Sequence, residues 1–324
     1  MFSKDVLRLD VAAESRRISD WVAESVFRVL KKKGGVVGIS GGVDSSVTYA
    51  LVVRALGPER VLSVSMGEAD SEAESETLAR ELVAKFGGEY LANPITAPLT
   101  GFDMYRRRND AVRRVFPDFE DHWKMKITLP GDVKESDRFN FFTLTVIDPD
   151  GHSRSSRLPP DSYLEIVAAS NIKQRTRMTT LYFHAERLNY AVVGTPNFNE
   201  DNQGFFVKYG DGGADLRPIA HLYKSQVYQL GRHLGVPEPI LRRTPTTDTY
   251  SAPVTQQEFF FRLPFEEMDL LLYAWHHEVP LEEVCRVMGL SEEQIRRIYR
   301  DFAQKSKTAK YLACPPLMLP PVGA

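Results

Sequence analysis

The stretch that decides the fold is GGVVGISGGVDSS at residues 34–46, followed by VTYALVVR at residues 47–54. It begins with a short apolar run of the kind that forms a buried parallel strand, and a segment with helical spacing follows at once. A Ser-Gly-Gly turn separates the two. Such a turn presents consecutive backbone N–H groups and the positive end of a helix to one point. The stretch therefore predicts a phosphate cradle.

Polar side chains in this turn narrow the prediction. Ser40, Ser45 and Ser46 offer hydroxyl donors, and Asp44 stands where the loop of common ATPases has a lysine. A carboxylate beside a polyphosphate repels it unless a divalent cation lies between them, so Asp44 indicates bound magnesium. The alternative is a glycine-rich turn without a ligand, but such a turn has no use for three hydroxyls and a carboxylate together.

The run from Ser40 to Ser46 resembles the signature of the ATP-pyrophosphatase enzymes. These enzymes cut ATP between its α and β phosphates, attach AMP to a carboxylate or carbonyl oxygen, and displace it with a nitrogen or sulfur nucleophile. The resemblance implies an ATP site formed by Gly38, Ser40, Gly41, Gly42, Val43, Asp44, Ser45 and Ser46.

Composition limits the class of protein. The 324 residues carry a formal net charge of -2, which gives no general attraction to nucleic acid or to an anionic membrane. No apolar run approaches the roughly 20 residues of a membrane span, and the first residues do not form a signal sequence. Cys285 and Cys314 are too few for a disulfide framework, so we expect a cytoplasmic protein.

Strands and helices alternate over the first hundred residues. Helical spacing follows Asp10 as far as Leu30 and recurs at residues 71–86, while short apolar runs at residues 60–66 and 90–92 read as strands. This order predicts an α/β fold, an open parallel sheet with helices on both faces, and ligands at the carboxyl ends of the strands. The cradle lies at such an end.

A different pattern occupies residues 98–164. A basic helical segment at residues 105–116 precedes an alternating run at residues 124–129, and two further strands flank the turn Asp148-Pro149-Asp150-Gly151. Two strands around such a turn form a hairpin. We expect an antiparallel insertion at about residues 100–162, whose arginines form a solvated face.

The second half returns to the alternating pattern. It predicts a helix from Asn171 to Leu188, a buried strand at residues 190–194, and a helix from Pro218 with Lys224 in its first turns. Residues 208–215 hold three glycines and two carboxylates, which cannot form a regular element and indicate a tightly bent binding loop.

Helical sequence dominates the C-terminal part, about residues 264–324. Ser291 begins a capping box, and residues 281–300 have the spacing of a helix-turn-helix. Glu282 and Glu283 make DNA binding a poor explanation for that pair. One domain of residues 1–324, with the insertion and this helical tail, is the simplest partition.

Several blocks together resemble NAD synthetase, in that family's order, over about residues 36–248. Besides the cradle they are Asn171-x-Lys173-x-Arg175-x-Arg177-Met178, Gly194-Thr195 with Glu200, the block from Gly204 to Asp215, and Lys224. The resemblance implies an adenine nucleotide alpha-hydrolase-like fold. It also implies the amidation of nicotinic acid adenine dinucleotide with ammonia through an acyl-adenylate, using ATP and magnesium and releasing AMP and pyrophosphate.

The resemblance also assigns roles. Asp44 and Glu200 would hold magnesium; Lys224, Thr195 and Arg175 would join the cradle on ATP; Asn171, Arg177, Lys208 and Asp215 would bind the second dinucleotide. Asp211 would hold ammonium and take its proton, so the catalytic set is Asp44, Asp211 and Lys224. Relatives are homodimers, and we expect a homodimer here. With no amidase-like domain, glutamine would serve only through a separate subunit.

Three departures leave alternatives open. Pro196-Asn197 replaces a common Asp-His pair, no aromatic residue lies at residues 166–170 so that Tyr163 is the candidate substitute, and the hairpin and residues 250–264 depart from the pattern. A related ligase for another carboxylic acid, with the hairpin as its lid, is the main alternative. An RNA-modifying sulfur- or nitrogen-transfer enzyme and a non-enzymatic nucleotide sensor are the others.

Overall fold

A computed structural model describes residues 2–129, 131, 133–134, 141–247 and 249–319. The strands are β1 (Gly35–Gly38), β2 (Val61–Ser65), β3 (Glu89–Ala92), β4 (Lys124–Thr128), β5 (Thr143–Ile147), β6 (Ser153–Arg157) and β7 (Ala191–Val193). The helices are α1 (Val11–Glu24), α2 (Val43–Leu56), α3 (Ala73–Phe86), α4 (Thr96–Gly101), α5 (Met104–Arg113), α6 (Pro160–Leu188), α7 (Phe198–Gln203), α8 (Lys224–Leu234), α9 (Glu238–Arg242), α10 (Phe265–His276), α11 (Leu281–Met288) and α12 (Glu292–Ala313). Within the described ranges, no helix is both long and apolar enough to cross a membrane.

The main sheet is parallel and has the order β3-β2-β1-β7. Because successive side chains of a strand point to opposite faces, Val36 packs with α4, α5 and α6 on one face. Its neighbour Val37 packs with α1, α2, α3 and α8 on the other face. The predicted α/β fold with helices on both faces is therefore confirmed.

A second sheet, β4-β5-β6, is antiparallel and forms the predicted insertion. Its inner side chains pack against Ile166 of α6 and against Tyr250, so α6 supports both sheets. The predicted turn joins β5 to β6, and Gly151 adopts a φ of +86°, which favours glycine. Residues 135–140, within the predicted antiparallel region, lie outside the described residues.

Three helix boundaries differ from the sequence-based expectation. Helix α6 begins at Pro160, eleven residues before Asn171. Proline is favourable in a first helical turn, and Ile166 and Ala169 continue the buried stripe of the helix toward its start. Helix α8 begins at Lys224 and not at Pro218, since Tyr223 acts as its N-cap. Helix α1 ends at Glu24, and a π-helical turn at Ser25–Val29 continues it.

Candidate functional site

The predicted cradle forms at the end of β1. Gly42 is the N-cap of α2, and Gly41 adopts a φ of +71°, a conformation that L side chains rarely take. Ser45 Oγ lies 3.3 Å from the Ser40 N–H, which donates to it, and itself donates to the Gly42 carbonyl at 3.1 Å. The turn is thus held by its own serines, with the N-terminus of α2 facing the cavity.

A cavity of about 1190 Å³ opens from this cradle. Its walls come from the cradle, the loop after β2, α6, the loops at residues 194–200 and 204–213, residues 243–247 and 249–250, and the end of α12. Pockets for one small ligand usually measure about 300–1,000 Å³. The volume lies just above that range, so the cavity has room for more than one small ligand.

Three charged side chains and one amide lie beside the cradle, and we call them the phosphate-side cluster. They are Asp44, Lys224, Glu200 and Asn197. Lys224, 1% exposed, forms an ion pair with Asp44 Oδ2. The Asn197 side-chain amide donates to Asp44 Oδ1 at 2.9 Å, and its backbone N–H donates to Glu200 Oε2 at 3.2 Å. One asparagine therefore joins the two carboxylates that the sequence assigns to magnesium.

The phosphate-side cluster holds two carboxylates and one ammonium. Burial, and then the nearby charge of Asp44, raise the pKa of Glu200 to about 8. Burial acts to lower the pKa of Lys224, but Asp44 and Glu200 outweigh it and raise that pKa above its ordinary value. With both carboxylates ionised, the cluster would carry one more negative than positive charge, and burial together with this excess makes Glu200 hold its proton more tightly.

This donor set fits magnesium. Mg²⁺ prefers oxygen ligands and is commonly held by one or two carboxylates together with phosphate oxygens and water. Asp44 and Glu200 supply two carboxylates at the cradle, and a divalent cation would remove the excess negative charge there.

Most residues predicted to bind ATP lie in the cavity wall. They are Gly38, Ser40, Gly42, Val43, Asp44, Ser45, Arg175, Thr195 and Lys224. Two others do not line it. Ser46 is fully buried, and both its N–H and its hydroxyl donate to the Gly42 carbonyl, at 3.1 and 2.8 Å. Gly41 contributes the conformation of the turn.

The residues predicted for the second dinucleotide are divided by the structure. Asn171, Arg177 and Lys208 line the cavity. Asp215 does not, because its carboxylate accepts from the Val192 N–H at 2.8 Å and from the Tyr182 hydroxyl at 3.1 Å. The fold directs Asp215 toward β7 and α6.

Lys208 connects the cavity to the C-terminal chain. Its ammonium donates to the carbonyls of Tyr311, at 3.2 Å, and Cys314, at 2.8 Å. Thr308, Tyr311 and Leu312 of α12 also line the cavity. No sequence motif indicated that the helical tail closes this wall.

Asp211, the residue predicted for ammonia, also lies in the cavity wall. Its carboxylate accepts from the Val207 N–H at 2.7 Å. The side chain faces the cavity, yet enclosure by the surrounding chain raises its pKa, against the lowering effect of the Val207 hydrogen bond. A carboxylate shifted toward neutral pH is a better proton acceptor at working pH.

A second buried group, the anchor cluster, consists of Glu68, Asp70, Lys173 and Arg108. Lys173 donates to Glu68 Oε1 at 2.9 Å and to Asp70 Oδ2 at 2.8 Å, and Arg108 pairs with Asp70. Burial acts to raise the pKa of Asp70, but Lys173 and Arg108 lower it below its usual value. The cluster has two charges of each sign.

The anchor cluster corrects one expectation. Arg106 is exposed and pairs with Asp103, as a solvated face would. Arg108 is 3% exposed and joins the insertion to the loop after β2, so the expectation of a solvated face was wrong for this arginine. Arg108 lies on the side of α5 that meets the loop after β2, where it pairs with Asp70, whereas Arg106 lies in solvent.

The structure also shows the positions of two residues at which the sequence departs from the family pattern. Asn197 caps α7 by accepting from the N–H groups of Asn199 and Glu200, at 3.0 and 3.2 Å. Tyr163 lies in the cavity wall, stacked on Phe142 with 4.2 Å between ring centroids. No residue of β4, β5 or β6 is among the described residues that line the cavity.

Comparison with known proteins gives a consistent result. The chain matches the family model described as NAD synthase over residues 14–115 and 143–312. It is 47% identical to an "NH(3)-dependent NAD(+) synthetase" of Rhizobium meliloti (strain 1021), over 99% of this chain and 96% of that protein. It is 34% identical to a protein of the same name from Thermotoga maritima, over 85% of this chain and 97% of that one.

Solved structures show the same fold at lower identity. The structure of NMN synthetase from Francisella tularensis superposes with a TM-score of 0.65 at 20% identity, covering 96% of this chain and 99% of that one. An NH3-dependent NAD synthetase from Campylobacter jejuni gives a TM-score of 0.62 at 20% identity, covering 96% of this chain and all of the other.

Proposed function

The chain belongs to the NAD synthase family, and from that premise we infer that it is a ligase that amidates nicotinic acid adenine dinucleotide with ammonia, using ATP. The observation that carries this inference is the phosphate-side cluster. Its two carboxylates and one lysine stand beside a phosphate cradle, in a cavity with room for more than one small ligand. A related ligase for another acid is the weaker explanation, because the relative that is 47% identical over 99% of this chain is named "NH(3)-dependent NAD(+) synthetase".

Activation of the acid is the first chemical task. A carboxylate resists ammonia because its leaving group would be oxide, whereas an acyl-adenylate releases AMP. The carboxylate oxygen attacks the α phosphorus of ATP, and pyrophosphate leaves with the electron pair of the broken P–O bond. The protein must align two polyanions and neutralise their charge. Lys224 and Arg175 supply positive charge, and the cradle supplies backbone N–H donors.

Magnesium belongs to this step. We assign Asp44 and Glu200 as its protein ligands, supported by their shared contact with Asn197 and by their excess negative charge. When bound, magnesium neutralises phosphate oxygens and favours the departure of pyrophosphate. Lys224, which is buried and pairs with Asp44 Oδ2, would add a second positive charge there.

Amide formation follows at the acyl carbon. Ammonia attacks that carbon, the nitrogen loses a proton, and AMP leaves with the electrons of the acyl–oxygen bond. We assign Asp211 to hold ammonium and accept the proton, since it lies in the cavity wall with a raised pKa. Asn171, Arg177 and Lys208 are assigned to the acid dinucleotide. Asp215 supports β7 and α6, where its carboxylate is bound.

We also propose a homodimer. Leu164 and Phe183 on α6 are 63% and 61% exposed, so the helix that lines the cavity presents apolar side chains outward.

The cysteines Cys285 and Cys314 form no disulfide, and this supports a cytoplasmic location. A single domain is supported by the shared role of α6 in both sheets, and ammonia is the proposed nitrogen donor.

The test is the reaction itself. Purified protein is given ATP, magnesium, ammonium and nicotinic acid adenine dinucleotide, and NAD, AMP and pyrophosphate are measured together. We expect the three products in equal amounts, with none when ammonium or magnesium is omitted. Binding of ATP without NAD formation would show that the acid is a different one.

A further inference from the structure

One buried carboxylate outside every predicted motif joins the two helices that carry catalytic charge. Asp269 of α10 has no exposed surface. Its Oδ1 accepts from the Asn199 side-chain amide at 2.5 Å, and its Oδ2 accepts from the Ser225 backbone N–H at 2.7 Å. Asn199 lies in the first turn of α7, and Ser225 in the first turn of α8.

Each partner is the sequence neighbour of a site residue. Asn199 precedes Glu200, and Ser225 follows Lys224. We propose that Asp269 is a positioning residue that clamps the N-terminal turns of α7 and α8, so that Glu200 and Lys224 converge on Asp44. The proposal rests on the function inferred above, and it makes the helical tail part of the ATP site.

The clamp acts at two helix starts. At α8, the carboxylate accepts an otherwise unpaired first-turn N–H and lies at the positive end of the helix dipole. At α7 it holds Asn199, whose own N–H is bound by Asn197, the residue that contacts both carboxylates of the phosphate-side cluster. A shift of Asp269 would therefore be transmitted to both helices.

A charge at this buried position carries a cost. A buried carboxylate must overcome a desolvation penalty, and burial raises the pKa of Asp269 to about 6. An apolar side chain in α10 would avoid that penalty but would leave the Ser225 N–H and the Asn199 side-chain amide without this acceptor. The carboxylate instead provides two directed hydrogen bonds to two separate helices.

Two variants separate the contributions of hydrogen bonding and charge. Asp269→Ala removes both hydrogen bonds. Asp269→Asn can keep both, because Asn199 Oδ1 has no partner within the described chain and a reversed Asn199 amide could accept from the new side-chain amide. Val284→Ala is the matched control. Val284 is equally buried in the same helical core, and its apolar side chain makes no hydrogen bond to α7 or α8.

Calorimetric binding of magnesium ATP gives a readout that does not depend on the acid substrate. Below the unfolding temperature, we expect Asp269→Ala to weaken binding at least about tenfold and to lower kcat, with the KM for the acid dinucleotide unchanged. Asp269→Asn should recover most of the affinity. Val284→Ala should lower Tm and leave the affinity for magnesium ATP within about twofold of wild type.

A folded Asp269→Ala protein with a lower Tm but wild-type affinity and kcat would overturn the clamp. If Asp269→Ala does not fold, Asn199→Ala decides, because it removes only the α7 bond. It should raise the magnesium concentration needed for half-maximal binding of ATP, and no change would refute the proposal. Failure of the proposed function would look different: wild-type protein would bind magnesium ATP and make no NAD.

Discussion

Two buried clusters of charge lie near the carboxyl edge of the parallel sheet, and they differ in charge balance. In the anchor cluster, Lys173 and Arg108 match Glu68 and Asp70. In the phosphate-side cluster, Lys224 faces both Asp44 and Glu200. Opposite charges that satisfy each other hold structure together, whereas an unmatched carboxylate offers a place for a cation.

Their pKa values reflect the same difference. The pKa of Asp70 falls below its usual value even though burial opposes this, because two cations adjoin it. The pKa of Glu200 rises to about 8 because burial and Asp44 both oppose its charge. A perturbed pKa can therefore arise in a structural ion-pair network as well as at a functional site, and the charge balance distinguishes these two clusters.

Removal of Asp44 should give the largest effect. Asp44→Asn should lower kcat for NAD formation at least about a thousandfold, because the proposed magnesium ligand is lost where negative charge accumulates. The fold should persist, since Lys224 still faces Glu200. Steady-state kinetics and thermal unfolding measure the two quantities. Asp148→Asn, at the hairpin turn, is the control, and an active Asp44→Asn enzyme would remove Asp44 from the metal site.

The anchor cluster should show the opposite behaviour. Lys173→Met should reduce the free energy of unfolding by about 3–5 kcal/mol, because Glu68 loses its cation while buried. Denaturant unfolding measures this loss. Adding Glu68→Gln should restore part of it, since the uncompensated charge is removed. If Lys173→Met left stability unchanged and abolished catalysis, the distinction between the two clusters would be wrong.

A smaller effect should appear as a dependence of stability on pH. Because the pKa of Glu200 is raised on folding, the folded state takes up a proton, and that stabilisation is lost as pH rises from about 4.5 to about 8. The pKa of Asp70 is lowered, so this group stays ionised in both states over that range. Tm of magnesium-free protein should fall more steeply with pH than Tm of Glu200→Gln, and magnesium affinity should increase with pH. Parallel Tm curves would contradict the assignment.

Much of the fold could be predicted because its signals are local. The alternation of strands and helices, the hairpin turn and the capping box at Ser291 each depend on neighbouring residues, and all are confirmed. The start of α6 was missed because Asn171 resembled a helix beginning, while the buried stripe that extends the helix to Pro160 depends on the insertion packed against it.

The sequence predicted most of the residues that line the candidate site, but it did not predict which partners their side chains contact. Asp211 and Asp215 share one loop, yet only Asp211 lines the cavity. Lys173 and Lys208 are both lysines of family-like motifs, yet Lys173 pairs with buried carboxylates and Lys208 binds carbonyls of the C-terminal chain. Neither difference can be read from spacing, because each depends on distant partners.

The sequence by itself determined the cradle, its preference for phosphate and the class of sheet, because glycine conformation, helix polarity and strand periodicity are properties of a few adjacent residues. Tertiary structure decided which charges are balanced. Lys224 meets Asp44 across 180 residues, Lys173 meets Glu68 across 105, and Asp269 meets Asn199 across 70. Burial and pairing depend on such long-range contacts, and they decide which carboxylates remain available to a metal ion.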